Sequence, residues 1–104
     1  MVDDNLILSS IKKQVHQIVP NAQVFLFGSR ANDSATEESD WDILIITQQA
    51  VDRALKRKIQ DQIFPLSVQL ASFINLLIVQ EQDWLNNPSY YSLHQSIAAG
   101  KVLS

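Results

Sequence analysis

Apolar positions along this chain fall into two kinds of period, and the switches between them mark its elements. From Asp4 to Val19, Ile7, Ile11, Val15 and Ile18 recur at three- and four-residue steps, the spacing of one helical face. Asp3 and Asp4 sit at the positive end of that helix, and Pro20-Asn21 stops it. Gln23-Val24-Phe25-Leu26-Phe27 is a β-branched and aromatic run closing on Gly28, which predicts a buried strand. Residues 28–40 are polar almost throughout, with space for a short helical turn at 29–33. Asp42-Ile43-Leu44-Ile45-Ile46-Thr47 is apolar on both faces and predicts a strand inside its sheet. Val51, Leu55, Ile59 and Ile63 repeat at four-residue steps and predict a second amphipathic helix, ended by Pro65. Residues 66–79 first alternate and then turn wholly apolar, which predicts one bent strand or two short ones. Pro88 opens a last short helix with Tyr90, Leu93 and Ile97 on one face and Gly100 as its cap. The order implies an α+β fold (α/β layers): a small mixed β-sheet with helices packed on one face.

Composition narrows the function classes. The 104 residues suit a single domain, and 46% apolar with 18% charged residues is globular rather than disordered. A net charge of −3 makes duplex DNA or long RNA an unexpected partner. With no cysteine, disulfide frameworks, thiolate zinc sites and cysteine nucleophiles are all excluded. The start, Met1-Val2-Asp3-Asp4, lacks the basic residues and apolar core of a signal peptide, and no apolar stretch reaches the ~18 residues that span a bilayer. The expectation is a soluble cytoplasmic protein without a membrane partner.

The chemistry concentrates in residues 24–47. A buried strand delivers Gly28-Ser29 to its end, and Asp40-Trp41-Asp42 opens the next strand after ten intervening residues. Side chains at i and i+2 share a strand face, so Asp40 and Asp42 point the same way while Trp41 points into packing. Two carboxylates about 7 Å apart along one face repel each other at the mouth of a strand too apolar to solvate them. A divalent cation relieves that conflict, and hard oxygen ligands of this kind suit Mg²⁺, which commonly shares its shell with substrate phosphates. Gly28 permits close approach of backbone to phosphate, Ser29 offers an N–H and a hydroxyl, and Arg30 adds a cation. Gly-Ser or Asp-x-Asp alone is an ordinary turn or strand entry; the ordered conjunction carries the inference.

That conjunction, Phe-Gly-Ser-Arg-Ala followed by Ser-Asp-Trp-Asp-Ile-Leu-Ile, resembles the signature of the DNA polymerase β-like nucleotidyltransferase superfamily, in particular its minimal prokaryotic members. The match is sharp over residues 25–46 and loose over most of the remainder. The resemblance implies that Gly28 and Ser29 hold the β and γ phosphates, with Arg30 beside them, and that Asp40 and Asp42 bind Mg²⁺ as the catalytic carboxylates. It further implies transfer of a nucleotidyl group, AMP from ATP, to an acceptor hydroxyl with release of pyrophosphate. Small members of the family often pair with a helical HEPN-type protein in toxin–antitoxin modules, which makes such a protein the expected partner.

One feature departs from the family pattern. Active members carry a third carboxylate on a later strand, yet no Asp or Glu occurs between Asp61 and Glu81, and the candidate positions hold the amides Gln69 and Asn75. An amide can coordinate through its carbonyl but brings no charge and cannot act as a base. Two readings therefore stay open: a nucleotidyltransferase with an incomplete acidic triad, or a weak or inactive nucleotide-binding module acting by protein contact. The remaining polar features read as structural. His16 and His94 lack a ligand partner at i+4, and Arg53, Lys56, Arg57 and Lys58 read as a solvated helix face. Trp84, Tyr90 and Tyr91 read as core or interface, and the aromatic C-terminal segment or an edge strand offers a surface for homo-oligomerisation.

Overall fold

The computed structural model describes residues 4–27, 40–98 and 101–102. Helix α1 (Asp4–Ile18) buries Ile7, Leu8, Ile11 and Val15, as its spacing requires. His16 Nε2 donates to the carbonyl of Ala22 at 2.9 Å, tying the end of α1 to the short turn before β1 (Gln23–Phe27). Strand β2 (Trp41–Thr47) is buried along almost its whole length, and helix α2 (Arg53–Leu70) follows it. Then come β3 (Ile74–Gln80), α3 (Glu81–Asn86), a 3₁₀ turn at Pro88–Tyr90, α4 (Tyr91–Ala98) and β4 (Lys101–Val102).

The strands form one mixed sheet in the order β3-β2-β1-β4. Strand β1 runs antiparallel to both neighbours, whereas β2 and β3 are parallel, joined by the crossover through α2. Strand β2 is interior, which explains its apolar character on both faces: Trp41, Ile43 and Ile45 face one side, Leu44 and Ile46 the other. Burying each such Ile or Leu contributes about 1.5–3 kcal/mol, so this strand anchors the domain. The two long helices pack on the first face with Val24, Leu26, Trp41, Ile43 and Ile45, as expected. They are stitched to each other by Gln62 Nε2, which donates to Gln14 Oε1 and Gln17 Oε1. The second face is not left bare: Trp84 of α3, Tyr90 and Leu93 cover Leu44, Ile46 and Val79 there.

Two expectations need correction. Pro65 does not end the second helix, which continues to Leu70. The missing N–H costs one bond to the preceding turn, but Pro65 is exposed and only five residues from the end, so packing of Ile59, Ile63, Leu66 and Leu70 carries the helix through. Residues 66–70, expected as strand, therefore belong to α2, and the strand begins at Ile74. The alternation read there was the partial exposure of a helix end. Helix α3 was not anticipated; its six residues are too short for a periodic signal.

Helix α2 is capped at both ends. Asp52 accepts from the N–H of Leu55 at 2.8 Å, and Ala71 ends the helix in the left-handed region at φ 51°, its N–H bonding back to Ser67 and Val68 carbonyls. A Cβ in that region costs about 1 kcal/mol, which glycine avoids. Ala71→Gly is expected to raise stability by about 0.5–1 kcal/mol in urea unfolding, against the loss that the same exchange brings inside a helix.

Candidate functional site

Asp40 lies immediately before β2, and Asp42 is its second residue. Trp41, between them, is buried against α1 and α2, so both carboxylates project to the opposite face of the sheet. The parallel pairing then fixes what they meet. Asp42 is in register with Asn75, the second residue of β3, so the Asn75 side chain stands on the same face beside it. Asn75 Nδ2 donates to Asp40 Oδ2 at 3.2 Å and to Asp42 Oδ1 at 3.1 Å.

The amide thus bridges the two carboxylates. It satisfies one oxygen of each, softening their repulsion with dipoles rather than with charge. Of the two amides that could stand at the third position, the fold selects Asn75; Gln69 is on the exposed side of α2, away from β3. Among the described residues no three His, Cys, Asp or Glu side chains converge.

The donor set fits Mg²⁺. Two carboxylates share one face, and rotating the Asn75 amide by half a turn exchanges its N–H donor for the Oδ1 acceptor without moving the backbone. A site with so few protein ligands leaves the rest of an octahedral shell to water or phosphate oxygens. Asp40 and Asn75 are exposed and Asp42 is half-buried, so a ligand reaches the cluster from solvent.

On the phosphate side, Phe27 is in register with Asp42 across β1 and β2. Gly28, Ser29 and Arg30, expected to contact phosphates, lie outside the described residues. The aromatic residues belong to the other end of the same face. His94 Nε2 donates to the Trp84 carbonyl at 2.8 Å, and its ring lies 4.3 Å from that of Trp84, which is a structural role. Burial, and the Asp83 carboxylate that accepts from it, push the Tyr90 phenol above its ordinary 10.0. It stays protonated at neutral pH and serves packing.

Strand alternation in the sequence puts Asp40 and Asp42 on one face and leaves Gln69 and Asn75 as the amides beside them, but the Asn75 bridge shows only in the structure. The signal was present: once β3 pairs in parallel with β2, the polar residue following Ile74 falls opposite Asp42. What hid it was the misplaced strand start.

Comparison with known proteins gives the family and the fold. The family model for the nucleotidyltransferase domain matches residues 8–89, a span that includes Gly28, Ser29, Asp40, Asp42 and Asn75. No curated protein matches the chain. Several solved structures share the fold. A toxin–antitoxin with AMP-PNP superposes with a TM-score of 0.64 at 20% identity, over 93% of this chain and 72% of the other. A tri-AMPylated HEPN toxin from Shewanella oneidensis in complex with MNT antitoxin gives 0.59 at 21% identity, over 95% and 70%. A mutant of the toxin–antitoxin MntA-HpeT, in which two aspartates two positions apart are glutamates, gives 0.63 at 19%, over 93% and 72%.

Replacing the bridging amide by a carboxylate tests the fit. Without divalent cation, Asn75→Asp is expected to lose about 1 kcal/mol at pH 7 from like-charge crowding. Millimolar Mg²⁺ should restore it, read as the urea midpoint with and without metal. An Asn75→Asp chain indifferent to Mg²⁺ would contradict the assigned geometry. The match over most of the chain, with the paired aspartates at the mouth of β2, shows that this protein belongs to the nucleotidyltransferase-domain family.

Proposed function

We propose that the chain binds a nucleoside triphosphate, ATP, with Mg²⁺ and transfers its AMP group to a hydroxyl on a partner protein of HEPN type, as one half of a toxin–antitoxin module in the cytoplasm. The observation that carries this reading is the convergence of Asp40, Asp42 and Asn75 on one exposed patch at the strand ends. Family membership supports the reaction class. The similar folds crystallised with AMP-PNP and with a tri-AMPylated HEPN toxin support the nucleotide and the partner.

In this reading Asp40 and Asp42 would hold the metal, and the Asn75 carbonyl would offer a neutral third ligand. Bound Mg²⁺ would neutralise phosphate charge and favour in-line attack at the α-phosphorus. Gly28, Ser29 and Arg30 follow directly on Phe27 in the chain and are assigned to the β and γ phosphates. The acceptor oxygen forms a bond to the α-phosphorus while the bond to the β-phosphate oxygen breaks, and pyrophosphate leaves. Asn75 cannot take the acceptor proton, so that proton passes to water or to a base on the partner. Transfer by this chain is therefore slow compared with a complete acidic triad.

The same observation favours a second reading, in which the chain keeps the nucleotide pocket without turnover and acts on its partner by contact. One assay separates them: ATP labelled at the α-phosphate, Mg²⁺, this chain and the product of the neighbouring gene, which the first reading expects to be of HEPN type. The first reading predicts label on the partner, lowered about 100-fold or more by Asp42→Asn, and raised about tenfold or more by Asn75→Asp, which supplies a base. Mg²⁺-dependent ATP binding with no pyrophosphate released would establish the second. Label transfer indifferent to Asp42→Asn would sink the assignment of the site.

A further inference from the structure

We propose that the groove between the C-terminal half of α2 and the edge of β3 is the docking surface for the acceptor protein, and that it receives a segment of apolar side chains flanked by acidic ones. This rests on the transfer reading above.

The groove is lined by Ile63, Phe64, Ser67 and Val68 of α2 with Phe73 and Ile74 entering β3, and its wider part has a volume near 370 Å³. Its aromatic and aliphatic rim is out of place on a solvated surface: Phe64 is 65% exposed, Val68 63% and Phe73 75%. Contiguous apolar exposure of this kind marks a partner site more often than chance decoration.

Strand β3 adds a second, independent feature. It is the edge of the sheet, yet its sequence, Ile-Asn-Leu-Leu-Ile-Val-Gln, contains no charged residue. Edge strands are normally protected by lysine, proline or a bulge. Here the first half, Ile74–Leu77, stays partly open, and Trp41 N–H already bonds the Phe73 carbonyl on the inner side. By the alternation of a parallel ladder, the backbone groups of Ile74 and Leu76 then face outward. An extended segment can pair there while its side chains enter the groove. Ile74 lines the groove while Asn75, the next residue, turns to the other face beside the carboxylates, so a strand paired along this edge would send alternate side chains into the groove and onto the face that carries Asp40 and Asp42.

Charge selects the occupant. On α2, Arg53, Arg57, Phe64 and Val68 fall on one line at helical steps of four and seven. The apolar rim therefore continues into a basic end, widened by exposed Lys56, on a chain whose net charge is −3. Among the described residues the ion pair on this face is Arg57 with Asp61 at 3.9 Å, which leaves Arg53 and Lys56 for a partner. A second copy docked by the same face would meet this line with itself, and its lone carboxylate is already engaged. Acidic, apolar chemistry fits better.

The test uses the full chain and two fluorescent peptides, one alternating leucine with glutamate and one alternating leucine with lysine. The glutamate peptide is expected to bind about tenfold more tightly or better. Phe64→Ser with Phe73→Ser should weaken it about tenfold, as loss of central aromatic anchors does. Arg53→Glu with Lys56→Glu should abolish the preference between peptides. All four positions are exposed, so the variants are expected to keep the wild-type thermal melt, and Mg²⁺-dependent ATP binding should be unchanged in both. Equal binding of the two peptides, or indifference to both variant pairs, overturns the proposal. So does a wild-type dimer by light scattering that the phenylalanine pair converts to monomer, which would give the surface to a second copy. Peptide selectivity in a chain that fails to bind ATP would overturn the acceptor role and the transfer reading while keeping the docking surface.

Discussion

Like charges on one strand face are the constraint around which this molecule is organised. Asp40 and Asp42 share a side because Trp41 between them is drawn into the core, and they cannot separate without pulling that indole out of its packing. The pairing of β2 with β3 answers the conflict by placing Asn75 against both. Everything upstream serves that register. Helix α2 must be long enough to return the chain to the start of β2, which is why it runs through Pro65 and stops at a left-handed Ala71 just before the turn into β3.

An amide where a third carboxylate would be expected alters the balance of the site. Three carboxylates would demand a cation to be stable, whereas two carboxylates and an amide are self-satisfied by hydrogen bonds. The chain can therefore hold its site geometry without metal and admit metal by turning one side chain. The cost is basicity, because no group at this position can take a proton. On the proposed transfer reading, that division suits an acceptor that arrives with a partner, for which the uncharged edge of β3 is the proposed approach.

Much of this was legible from the chain. The period of Ile7, Ile11 and Val15 gave α1, the two apolar runs gave β1 and β2, and the i, i+2 rule placed Asp40 and Asp42 on one side. The errors share a cause: residues 66–73 were judged from local pattern, whereas tertiary packing of Leu66 and Leu70 decides their state. That mistake kept Gln69 in contention with Asn75 and concealed the exposed Phe64 and Val68. These two lie off the Ile59–Ile63 stripe, a signal readable only once the helix is known to extend past Pro65. The cover on the second sheet face was also hidden, because short helices such as α3 carry too few residues to show a period.

Metal binding is proposed for one cluster, Asp40, Asp42 and Asn75. Substituting paramagnetic Mn²⁺ for Mg²⁺ in an amide-resolved NMR spectrum tests it most directly. The account predicts that sub-stoichiometric Mn²⁺ broadens the side-chain amide of Asn75 and the backbone amides of Asp40 and Asp42 first, leaving those of α4 sharp, and that Asp42→Asn abolishes the selectivity. Broadening centred instead on Glu81 and Asp83, or spread evenly over all acidic residues, would contradict it.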